Sequence, residues 1–173
     1  MFSQKCTGTR MYKTITYNNL FDMKQDTSNP TPPQQDDEMI FFRQIAKELS
    51  IEEPKEVVIL VASVLQALRQ TLPLDRASLL INELPDFLKL TFAANWKRDE
   101  EIVKIDHLDE FVNLVMARDR KSKKNLFKSE VHALSAIILT LKNLYKLVNL
   151  DKFEGLSQAL KQELREVPVE AAA

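Results

Sequence analysis

Between Val57 and Leu90 the chain reads VVILVASVLQALRQTLPLDRASLLINELPDFLKL, a long apolar run closed by one proline and followed by two short amphipathic pieces split by another. Val57, Val58, Leu60, Val61, Val64, Leu65 and Leu68 recur with a helical period. Ile59 and Ala62 fill much of the other side, so the segment predicts a helix buried nearly all round, the centre of a bundle. Pro54 suits the first turn, where its missing N–H would have no partner anyway. Pro73 stops the helix, Asp75 is placed to cap a short one ending near Leu84, and Pro85 opens the next, which carries Phe87, Leu88, Leu90, Thr91 and Trp96.

The same period recurs on either side. Ile40, Phe41, Ile45, Ala46 and Leu49 predict a first helix from about Asp37, with Asp36, Asp37 and Glu38 at its positive end. Leu108, Phe111, Val112, Val115 and Met116 mark a fifth helix. Val131, Leu134, Ile137, Ile138, Leu141 and Leu144 mark a sixth between about Phe127 and Tyr145, and Leu147 to Leu164 repeats the short-helix pattern. Setting Phe42 against Phe111, Val64 against Ile137, and Leu84, Leu88 and Lys89 against Leu156, Leu160 and Lys161 gives offsets of 69 to 73 residues, which suggests a duplicated unit. The expectation is an all-α fold, a compact helical bundle of about eight helices in two pseudo-repeated halves, 38–98 and 106–167, within one domain at 38–167. Residues 1–37, with the proline-rich stretch DTSNPTPPQQDD, are expected to form a disordered leader, and 168–173 a short tail.

Composition narrows the chemistry. Only two glycines occur, Gly8 and Gly155, where a chain of this length averages about a dozen. Walker A and dinucleotide loops need two or three glycines to curl around a phosphate, so enzymes of those classes are excluded. Tight hairpins also lack their usual residues, which argues against an all-β fold. Cys6 has no disulfide partner, and with His107 and His132 it leaves too few ligands for a structural zinc site. Neither a signal-peptide core nor an apolar run of membrane-spanning length is present, so a cytoplasmic location is expected. A net charge of −1 points to no polyanionic partner.

The stretch VLQALRQTLPLDRASLLINELPDFLK resembles the signature of the bacterial domain-of-unknown-function 2267 family: a leucine-rich helix, a short acidic-capped helix, then Leu-Pro opening another. The resemblance covers about Met39 to Val167 and implies an all-helical protein with two related halves. It departs from the family pattern at Ala93-Ala94-Asn95-Trp96, where relatives often carry a glycine before the Trp, and at Leu156-Ser157 in place of the second Leu-Pro. It implies no activity and no catalytic residues.

Candidate sites are few. Arg118, Arg120, Lys121, Lys123 and Lys124, with Lys128, form the most basic local cluster, an anion-contacting patch if the side chains converge. Asp119 dilutes the run, only Phe127 offers aromatic stacking, and residues 39–100 balance eight basic against nine acidic groups, which argues against nucleic acid. The acidic groups at Asp36 to Glu38, at Glu52, Glu53 and Glu56, and at Asp99 to Glu101 read as helix starts and loops. No Glu-x-x-His pair occurs, so no metal or other cofactor is expected. His132 and His107 read as boundary or capping histidines and Ser135 as a small packing residue. Phe92 and Trp96 read as core. The functional expectation is a non-catalytic interaction module with a protein partner or a second copy. The alternative is a carrier or sensor of an apolar small molecule held between the two halves.

Overall fold

Seven α-helices and one 3₁₀ turn make up the computed structural model, which describes residues 33–97, 100–122, 125–152 and 157–166. They are α1 (Pro33–Glu48), α2 (Pro54–Gln70), α3 (Leu74–Glu83), α4 (Asp86–Ala93), α5 (Leu108–Ser122), α6 (Glu130–Leu147) and α7 (Gln158–Glu166), with the 3₁₀ turn at Leu150–Lys152. No strand occurs among the described residues. Most of the expected leader, the tail at 168–173, Leu156 and Cys6 lie outside the described residues.

Pro32–Ala173 make up one compact unit whose centre is α2. It packs against α1, α4, α5 and α6, while α6 also touches α1 and α5. Both helices are buried on nearly every side. In α2 the covered positions run from Val57 to Arg69, and in α6 Ser135, Thr140 and Asn143 are buried among Ala133, Ile137, Ile138 and Leu141. The Thr140 hydroxyl has no hydrogen-bond partner among the described residues, whereas the other two have a local acceptor, Ser135 Oγ donating to Val131 O at 2.8 Å and Asn143 Nδ2 to Leu139 O at 2.9 Å. This removes part of the cost of taking polar groups out of water. Around this pair α3 lies on α4, and α7 on α5.

A chain so poor in glycine closes its helices with other residues. Ser50, Asn95 and Asn125 adopt φ of 52°, 57° and 48°, the left-handed region, just after α1, α4 and α5. At Ser50 the paired bonds Ser50 N–H to Lys47 O (3.3 Å) and Ile51 N–H to Ala46 O (2.9 Å) form a Schellman closure.

Several boundaries differ from the periodicity. α1 begins at Pro33, inside the expected leader, because a proline costs nothing in a first turn and the acids that follow favour the helix N-terminus. Asp75 lies inside the first turn of α3 with no side-chain capping bond, and Pro73 stands at the cap position. α6 starts after Phe127, where Ser129 Oγ accepts from His132 N–H at 3.1 Å. That start leaves Val131, expected on the buried stripe, 62% exposed. Trp96 falls beyond α4, in the connection to α5.

Candidate functional site

The most polar part of the interior is centred on Arg69, near the C-terminus of α2. Arg69 sits four residues after Leu65, so α2 carries it to the core face. Its side chain is 1% exposed. The Nε and Nη2 groups donate to Glu100 Oε2 at 3.2 and 2.9 Å. Nη1 donates to Phe92 O, and to Ala94 O at 3.2 Å, two carbonyls that the end of α4 leaves without helical partners. The indole of Trp96 lies over the guanidinium, 5.4 Å from ring centre to Cζ, and meets Phe92 edge-on.

Glu100 is shared. Its second oxygen, Oε1, accepts from Arg118 Nη2 on α5, so one carboxylate joins α2 to α5. Arg118 Nε also donates to Gln70 Oε1 at 3.1 Å and Nη1 to Gln66 Oε1 at 3.4 Å. The α4–α5 connection is stitched further where Val103 N–H donates to Gln70 O at 2.9 Å. With its donors aimed at carbonyls and one carboxylate, this centre holds α2, α4 and α5 in register. The adjoining cleft of about 130 Å³ is lined by Arg69, Trp96, Lys97 and Glu100 with Leu74 and Ile102 at its lip.

A second, wider groove of about 290 Å³ lies at the α1–α2 turn. Glu52, Glu53 and Glu56 face Lys128 and His132 across a floor that includes Leu60. Burial and the neighbouring Lys128 lower the His132 pKa, so its imidazole favours the neutral form. Among the described residues no three His, Cys, Asp or Glu side chains come together as metal ligands.

The basic cluster does not converge as one group. Arg118 turns inward to Glu100, whereas Arg120 on the same helix is exposed, as is Lys128. The Lys121 side chain, Lys123 and Lys124 lie outside the described residues. Asp119, between the arginines, is buried and accepts from Phe127 N–H at 3.3 Å, anchoring the α5–α6 connection.

His107 and α7 form a separate contact. His107 Nδ1 lies 2.9 Å from Glu163 Oε1, and Glu163 Oε2 accepts from Leu108 N–H at 2.6 Å, so a side chain of α7 caps α5. The hydrogen bond and charge of Glu163 raise the His107 pKa, and that hydrogen bond, with the Leu108 amide, lowers the pKa of Glu163.

On the outside, α1 and α4 present an apolar ridge. Phe41, Phe42 and Phe87 interlock edge to face, with ring centres 5.3 to 5.9 Å apart. Met39 lies three residues before Phe42, and Leu90 three after Phe87, so each extends the aromatic contact along its own helix. Met39, Ile40 and Leu90 are all more than half exposed. Periodicity counts Ile40 and Leu90 among core candidates. Arg69 and Glu100 escape it, although an arginine continuing the Val61–Leu65 stripe is a readable signal.

These features define a class: an all-helical domain organised around a bridging carboxylate, in which no described helix is long and apolar enough to cross a membrane. The family described as an uncharacterized conserved protein (DUF2267) matches residues 38–167, and the chain belongs to it. A comparison with curated proteins returned no match.

Proposed function

We propose that this chain is a non-catalytic helical module of the cytoplasm that binds another protein through the α1–α4 ridge. The observation that carries this reading is the pair of exposed side chains Met39 and Leu90 beside a locked aromatic triad. Burying apolar surface returns about 25 cal/mol per Å², so two half-exposed side chains of this size offer about 1 kcal/mol apiece to a partner. The edge-to-face rings fix the surface beforehand, which lowers the entropy lost on docking. The Arg69–Glu100–Arg118 centre serves this function indirectly by holding α4 against α2. The two cavities described above have charged side chains on their walls, which suits neither to an apolar carrier.

A photoreactive amino acid at position 90, compared with the same probe at exposed Asn113 on α5, tests the surface. A discrete protein adduct at 90, absent at 113 and lost when Met39→Glu is added, is the expected result. Equal labelling at both positions, or none at 90, overturns the assignment of the ridge.

A further inference from the structure

We draw no further inference here: the strongest candidate, the groove at the α1–α2 turn where Glu52, Glu53 and Glu56 stand opposite Lys128 and His132, carries nothing, because acids at the start of α2 are ordinary helix-start chemistry and nothing in the structure shows what would occupy the groove.

Discussion

Replacing Arg69 by Met keeps most of the side-chain volume and removes the guanidinium, so it isolates what the polar centre contributes. The change strands the carbonyls of Phe92 and Ala94 and leaves Glu100 with Arg118 alone. Each buried group left without a partner costs about 1–3 kcal/mol, and breaking a buried ion pair on one side costs about 3–5 kcal/mol. Glu100 and Arg118 are 20% and 19% exposed, so water offsets part of the charge term; we place Arg69→Met at about 3 kcal/mol. Arg118→Met, which leaves two glutamines and a partly hydrated carboxylate, should cost about 1 kcal/mol. Urea denaturation followed by helical circular dichroism gives both values. Trp96, the one tryptophan in the chain, reports locally because its ring lies on the Arg69 guanidinium. A cycle with Glu100→Gln should show a coupling of about 1–2 kcal/mol. A loss below about 1 kcal/mol for Arg69→Met, or strict additivity in the cycle, would refute the view that this cluster holds the helices together.

Two further predictions concern α7. Ser157 Oγ accepts from Leu160 N–H at 3.0 Å and donates to Asp106 O at 2.8 Å, so Ser157→Ala should cost about 1 kcal/mol, with hydrogen exchange accelerated chiefly in α7 amides. Uniform acceleration across α2 and α6 would contradict that local effect. The His107–Glu163 pair predicts a pH window. The raised His107 pKa means its contribution is complete below the ordinary value of 6.5 and fades as pH rises through the raised one. Glu163, lowered, contributes fully above its ordinary 4.5 and fades as pH falls through the lowered value. The Tm difference between wild type and His107→Gln should therefore be widest between 4.5 and 6.5 and shrink on both sides, and a difference independent of pH would rule the pair out as its source.

Much of the helical plan can be read from local signals. Pro54, Pro73 and Pro85 mark three helix starts to within a residue, and the density of apolar residues in α2 and α6 announces their burial, because both signals act within a few residues of themselves. The polar centre is not local. Arg69 and Glu100 are 31 residues apart, Glu100 and Arg118 another 18, and periodicity says nothing about which charges meet across helices. Arg118 therefore reads as part of a solvated basic run, although it points inward while Arg120 does not. Ile40 shows the complementary error. Adjacent positions on a helix are turned by about 100°, so with Phe41 facing the core Ile40 is carried toward solvent however apolar the stretch looks.

The bond from Leu108 N–H to Glu163 ties the start of one helix to a residue 55 positions later. For a chain emerging from the ribosome, the first turn of α5 has to wait for that carboxylate until almost the whole domain has been made. Glu110, whose carboxylate accepts from Asp106 N–H at 2.8 Å, holds the turn in the meantime from within the same helix. Arrival of α7 then acts as a late latch, adding its bonds after α2 and α5 have had the opportunity to meet, so a defect in α7 should lower the final yield of docked chains more than it slows the earlier assembly of the core.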